Sequence, residues 1–296
     1  MTGATRRNMQ HAAPFCTAVR VVWRRKTYLR PKTTCVTIRG AAVDPNHRSK
    51  GRKKQRLDEI CLQLRPDVSR RIIQSWIVQG QVRVGGRIVN KAGTQVCSEA
   101  NVQINGTIPK YVCRGGLKLE AALDQFQLSV RDRVALDSGL STGGFTDVLL
   151  QRGARRVYGV DVGYGQVANK IKDHPKCVVL ERTNLRNLTQ LPEKVDLVTL
   201  DLSFISVLKV IPAINALTAD DVDLVMLIKP QFEAEKGQVS SGGVIRDKVM
   251  REGIVSKVIH GVENEGYSCQ GYMTSPIKGA KSENVEYLAH FRKDCR

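Results

Sequence analysis

No apolar run in this 296-residue chain approaches the roughly 20 residues that cross a bilayer, so a helical membrane span is excluded and a soluble protein with no membrane partner is expected. C-x-x-C pairs are also missing. The eight cysteines (Cys16, Cys35, Cys61, Cys97, Cys113, Cys177, Cys269 and Cys295) stand singly, which argues against a zinc site and a disulfide framework and leaves free thiols in a reducing compartment as the expectation. His260 and His290 have no ligand partners at metal spacing, and no metal is expected. There is no G-x-G-x-x-G, and no lysine where a P-loop needs one, so pyrophosphate recognition by a nicotinamide-type enzyme is disfavoured.

Acids are nearly absent from the beginning of the chain. Residues 1–56 carry fifteen Lys or Arg against one acid, Asp44, and so account for most of the net charge of +19. Residues 1–52 are rich in Arg, Thr and Ala and have no sustained apolar period. They read as a disordered basic targeting segment, for a chloroplast or alternatively a mitochondrion, with a phosphate-binding arm as the rival.

The most informative stretch runs from Val134 to Gly163. Val134 to Leu136 has strand character and leads into a turn rich in glycine and hydroxyl groups: Asp137, Ser138, Gly139, Leu140, Ser141, Thr142, Gly143 and Gly144. Phe145 to Gln151 reads as a helix stopped at Gly153, and Val157 to Val160 as a second strand ending on Asp161. Strand, glycine turn, helix, strand and terminal carboxylate make half of a nucleotide-binding fold, in which the acid accepts ribose hydroxyls. A carboxylate at Asp137 would repel a phosphate and suits a ligand with a positive end, such as the amino-acid part of S-adenosylmethionine.

Further strands are expected over 176–181, 196–201 and 222–228, with Thr183-Asn184 near where an adenine-contacting loop would sit. The β/α alternation implies a parallel sheet with ligands at the carboxyl ends of its strands, where Asp137, Asp161, Asp201 and Lys229 all fall. An Asp201–Lys229 pair could hold a lysine ready to orient or deprotonate a weakly nucleophilic hydroxyl; its bland alternative is an ion pair closing the strand ends. The Ser240–Gly243 segment reads as a lid hinge or an ordinary surface loop.

Ahead of this half lies a smaller block. Leu57, Ile60, Cys61 and Leu64 have helical spacing; Ser69 suits an N-cap for a second helix bearing Ile72, Ile73, Trp76 and Ile77, which Gly80 ends. Val82 to Val84, a Gly85-Gly86 turn and Ile88 read as a hairpin, and Val102 to Ile104 closes a small sheet. Lys53, Lys54, Arg56, Arg70 and Arg71 would form one basic edge.

This block, bounded as 53–106, resembles the S-four-type RNA-binding module through R-L-D, S-R-R and G-x-V-x-V. The resemblance implies binding of structured RNA by the basic edge. After a linker over 107–113, residues 114–296 resemble the FtsJ-like 2′-O-ribose methyltransferases, and the chain as a whole the TlyA/haemolysin A family. The motifs that carry the likeness are R-G-G-x-K-L from Arg114, D-S-G-x-S-T-G-G-F-T-D from Asp137, G-V-D-V-G from Gly159, D-L-S-F-I-S from Asp201, L-I-K-P-Q-F-E from Leu227, S-G-G-V-I-R-D from Ser241 and N-V-E-Y from Asn284.

The likeness implies an α/β fold: a Rossmann-like methyltransferase domain with a mostly parallel sheet, preceded by a small α+β RNA-binding domain. It also implies a catalytic tetrad of Lys118, Asp201, Lys229 and Glu286, with Glu283 a competitor for the last place. S-adenosylmethionine would lie against Asp137 to Phe145 (Leu140 apart), Asp161, Val162, Thr183, Asn184 and Asp201. The implied activity is 2′-O-methylation of ribosomal RNA, with ribosomal subunits as partners. A non-catalytic ribosome assembly factor and a haemolysin are the alternatives. The family's turn usually reads Asp-Val-Gly-Ala-Ser where this chain has Asp-Ser-Gly-Leu-Ser, and a minimal bacterial member lacks the long basic N-terminus.

Overall fold

The computed structural model describes residues 36–37, 54–235, 237–239, 242–279 and 284–293. The expected targeting segment, Lys53, Ser240, Ser241 and Glu283 lie outside them, apart from a two-residue strand, β1 (Val36–Thr37).

The small domain begins with β2 (Lys54–Arg56), α1 (Leu57–Leu64) and α2 (Arg70–Val78). A hairpin of β3 (Val82–Val84) and β4 (Arg87–Ile88) follows, then β5 (Gln95–Cys97) and β6 (Val102–Ile104). The apolar faces read from helical spacing meet in one core, where Leu57, Cys61, Ile73, Trp76 and Ile77 are buried together. Gly80 ends α2 at φ +71°, a backbone that other residues adopt at a cost. The hairpin turn uses Gly85 and Gly86 at φ +55° and +81°, as a two-residue turn with both φ angles positive requires. Ser69 occupies the N-cap position, but its hydroxyl makes no capping hydrogen bond; its carbonyl receives the Ile72 and Ile73 N–H groups. The pairing of β2 with β5 was not visible in the sequence, because two three-residue strands so far apart in the chain leave no periodic signal.

The large domain runs through α3 (Gly116–Gln125), β7 (Val134–Ser138), α4 (Gly144–Gln151), β8 (Arg156–Val160), α5 (Asn169–Lys172), β9 (Cys177–Leu180) and β10 (Val195–Leu200). It continues with α6 (Ile211–Leu217), β11 (Thr218–Ile228), α7 (Pro230–Glu233), α8 (Lys248–Glu263), β12 (Ser268–Thr274) and β13 (Tyr287–Lys293). Seven strands make one sheet in the order β12-β13-β11-β10-β7-β8-β9. Neighbours from β11 to β9 are parallel, while β13 runs antiparallel to both of its neighbours.

Strand alternation feeds two cores. Leu136, Tyr158, Val198 and Leu224 face α6 and α8, whereas Ala135, Val157, Leu197 and Val225 face α3 and α4. A sheet covered on both faces explains why these strands read as near-continuous apolar runs. Strand order reverses between β7 and β10, and the crevice beyond their carboxyl ends is where such sheets bind ligands. The last strand begins at Tyr287, inside the N-V-E-Y motif, and continues to Lys293. Asn284 is instead used as a side-chain clip, accepting from the Ile245 N–H at 3.2 Å and donating to the Gly243 carbonyl at 2.8 Å.

Candidate active site

A cleft of about 520 Å³ opens at the carboxyl ends of β7, β8 and β10. Of the residues expected to meet a cofactor, Ser138, Gly139, Ser141, Asp161, Val162, Thr183, Asn184 and Asp201 line it. Gly139 sits at φ +88°, and a Cβ there would run into the Asp201 carbonyl, so only glycine lets the β7 and β10 ends approach this closely. Asp161 is fixed by the two backbone groups it serves: Oδ2 accepts from the Ser141 N–H at 2.6 Å and Oδ1 from the Gly163 N–H at 2.7 Å. Each oxygen keeps a second lone pair, enough to receive two ribose hydroxyls. Apolar Val162 and Leu185 supply a wall for a flat ring.

Asp137, Thr142, Gly143, Gly144 and Phe145 are not in the lining. Gly143 and Gly144 serve packing, since a Cβ on the first would press on Ile171 and on the second would strike the Cys113 sulfur. Phe145 is buried in the core under α4. Asp137 lies beneath the floor, 1% exposed, and its two oxygens accept from the Thr146 hydroxyl at 2.6 Å and the Thr199 hydroxyl at 2.8 Å. The expectation that its carboxylate meets a ligand's positive end is replaced by a role in tying β7, α4 and β10 together. Sequence could not separate these roles, because both put an acid at a strand end.

Burial pushes the Asp137 carboxyl up to about 6, against the two hydroxyl bonds that favour its charged form. A carboxyl whose folded-state value lies above its unfolded one stabilises the fold below about pH 4, and the contribution is lost as pH rises through 6. A rise of this size corresponds to about 3 kcal/mol. Urea denaturation of wild type against Asp137→Asn should therefore show wild type gaining up to about that much, relative to the variant, between pH 7 and pH 4. A difference that stays flat over this range would remove Asp137 as the cause.

The four tetrad residues form two ion pairs. Lys229 Nζ lies 2.6 Å from Asp201 Oδ1 and donates to Ser203 Oγ at 2.9 Å. Lys118 Nζ donates to Glu286 Oε2 at 2.5 Å. Both lysines and Glu286 are nearly buried, at 8%, 8% and 4% exposure. Strand register brings the pairs together: Ile228 on β11 opposes Tyr287 on β13, so Lys229 and Glu286 are the next residues out on adjacent strands, and α3 delivers Lys118 from the face above. The Asp201–Lys229 pair was expected from the sequence; the Lys118–Glu286 pair, 168 residues apart, was not.

Several lining residues were given no role from the sequence: Gln166 and Leu185, and Ser203, Phe204 and Ile205 inside the D-L-S-F-I-S motif. Phe204 is the most distinctive. It is 90% exposed, holds φ +64°, and its ring leans on Phe232 at a centroid distance of 5.0 Å. An exposed aromatic in strained backbone beside a cleft is a functional signature, and only the structure reveals it.

The linker is not loose. Tyr111 is 4% exposed in the core beneath α3 and α4, and the Val112 N–H donates to Asp147 Oδ2 at 2.9 Å. On the small domain, Lys54, Arg56, Arg70 and Arg71 are all exposed. Among the described residues no cluster suits a metal ion, and no helix is long and apolar enough to cross a membrane.

A doubly covered sheet with one strand reversed, a carboxylate at the tip of β8 and a cleft sized for a nucleoside define an S-adenosylmethionine-dependent methyltransferase. Residues 111–293 match the FtsJ-like methyltransferase family and residues 55–102 the S4 domain. TlyA of Mycobacterium tuberculosis, a 16S/23S rRNA (cytidine-2′-O)-methyltransferase by name, is 44% identical over 229 residues, spanning 76% of this chain and 84% of its own. Hemolysin A of Brachyspira hyodysenteriae is 41% identical over 239 residues, 80% of this chain and 99% of its own. A solved structure described as a hemolysin, from Streptococcus thermophilus, superposes with a TM-score of 0.64 at 34% identity, over 82% of this chain and 90% of that one. The chain belongs to the TlyA/haemolysin A family of FtsJ-like methyltransferases.

Proposed function

We propose that the protein methylates the 2′-hydroxyl of a ribose in ribosomal RNA, using S-adenosylmethionine. The observation that carries this is the pair of Lys–acid couples beside the cofactor cleft, with both lysines and Glu286 buried, in a chain that also bears an RNA-binding domain. A scaffold without chemistry has no use for two lysines buried with two acids, since such pairs rarely repay their desolvation.

When bound, the cofactor supplies an electrophilic methyl group. Asp161 would hold its ribose hydroxyls and Val162 with Leu185 its adenine ring, while Ser138, Gly139 and Ser141 shape the floor. Lys229 carries three N–H donors; Asp201 and Ser203 take two, leaving one position to meet the incoming 2′-hydroxyl and orient its lone pair. The ribose oxygen would supply the electron pair of the new bond to the methyl carbon, and the cofactor's sulfur would keep the pair of the broken one. The hydroxyl proton passes to the Asp201 carboxylate, which lines the cleft beside Lys229. Glu286 fixes the neighbouring Lys118 in place, so that the phosphate side of the target nucleotide meets its side chain. Phe204, at the lip, gives the base of that nucleotide a ring to stack on once it has left its own stack.

Ribosomal subunits are the proposed form of the substrate, and the basic edge of the small domain is the proposed docking element. For residues 1–52, import into a plastid, alternatively a mitochondrion, is proposed from composition alone. Incubating the full chain with methyl-labelled S-adenosylmethionine and intact subunits, ribosomes or naked rRNA should place label in ribose. Cofactor and RNA binding with no transfer on any of the three would instead support an assembly factor.

A further inference from the structure

The basic edge contains an arrangement that a solvated row of charges would not need. Arg56, at the end of β2, and Arg70, at the start of α2, both reach the same carboxylate, Asp58 in the first turn of α1. Arg56 grips it with two parallel bonds, Nε to Oδ1 at 3.0 Å and Nη2 to Oδ2 at 3.1 Å. Arg70 adds Nη1 to Oδ2 at 3.2 Å, and Gln74 adds Nε2 to Oδ2 at 3.0 Å. Asp58 is 0% exposed, while the arginine side chains are 46% and 53% exposed. Hydrogen bonding to Arg56 is the largest of the influences that hold the Asp58 carboxyl down at about 2, so the anchor stays charged at any working pH.

Resting on the RNA-binding role proposed above, we infer that Asp58 is a positioning residue that clamps Arg56 and Arg70 into one rigid fork for the RNA backbone. A guanidinium has five N–H donors. Arg56 spends two on Asp58 and Arg70 one, which leaves three and four for a phosphate. Both arginines bond the same oxygen, Oδ2, so their remaining donors are offered side by side from two different elements. A flexible arginine loses its rotamer freedom when it binds; these two have lost it already, and the fork geometry that matches a phosphate is set before RNA arrives. The carboxylate cancels one positive charge, yet it orients the others. Long-range attraction is left to the exposed Arg71 and Lys54.

Charge and positioning predict opposite signs, which makes the test sharp. Asp58→Asn raises the net charge by one, so if electrostatics alone mattered it would bind RNA as well as wild type or tighter. Positioning predicts about tenfold weaker binding of the full chain to a fluorescein-labelled stem–loop RNA, with the slope of log affinity against log salt shallower by about one. Arg56→Lys/Arg70→Lys keeps every charge and loses the fork, and about a tenfold loss is again expected. In an Arg56→Ala/Arg70→Ala background, Asp58→Asn should change affinity less than twofold, whereas a residue that merely holds the fold would still cost the full amount. Thermal melting reports on folding, and if Asp58→Asn melts early, the Lys/Lys variant decides alone. Undiminished binding by Asp58→Asn or by the Lys/Lys protein, or a further tenfold loss in the Ala/Ala background, would overturn the assignment. Wild type that binds neither the stem–loop nor ribosomal subunits would remove the RNA-binding role itself; wild type that binds while the variants are indifferent removes only the fork.

Discussion

Lys229→Ala should lower methyl transfer to ribosomal subunits by about a thousandfold while leaving the affinity for S-adenosylhomocysteine within a few-fold of wild type. The magnitude follows from the role. Proton handling by a positioned side chain is worth on the order of 10²–10⁴ in rate, and Lys229 is bonded to Asp201 and Ser203 at the cleft edge without being one of the lining residues. Losing the ammonium leaves Asp201 without its partner, but that carboxylate retains 24% exposure and can recruit water, so the fold should survive. Single-turnover transfer with subunits in excess, beside calorimetric titration with S-adenosylhomocysteine, separates chemistry from binding. A variant with wild-type turnover would exclude Lys229 from the reaction; one that also fails to bind the cofactor product would make it a structural residue.

Gly139→Ala should have an equally large effect by another route. The φ of +88° costs an L-residue about 1–2 kcal/mol, and the new methyl would collide with the Asp201 carbonyl, which is backbone and cannot swing aside. About 3 kcal/mol of destabilisation is expected, roughly a 10 °C fall in melting temperature for a domain of this size. Whatever relief the loop finds must push Asp201 away from Lys229 or Ser138 away from the floor. Cofactor affinity and turnover should therefore fall together, at least tenfold each. Wild-type affinity in a well-folded Gly139→Ala protein would show that the close approach of β7 to β10 is not what shapes the cleft.

Much of this architecture was legible in the chain because it is local. The βαβ unit from Val134 to Asp161 is written in consecutive residues, and its strand ends fell within two residues of where alternation and glycine placed them. Glu286 was also found, though through a motif rather than a strand, for the strand starts one residue later. What sequence concealed depends on distant pairing. Nothing near Lys118 announces Glu286, and nothing in R-L-D says that the aspartate is inside and grips a second arginine twelve positions further on. Asp137 shows a different limit: an acid at a strand end can face a ligand or two threonine hydroxyls, and only the neighbours decide.

The cleft and the second ion pair draw on different parts of the chain. Every residue lining the cleft lies between Ser138 and Val210, so a growing polypeptide carries its whole cofactor cradle well before its last quarter is made. Glu286 lies just ahead of β13, which pairs with β11 on one side and carries β12 on the other. Without that strand in place Lys118 would lack the Glu286 counter-charge and the second couple would not exist. A chain ending before Asn284 would keep every residue that lines the cleft and lose one of the four groups proposed for transfer.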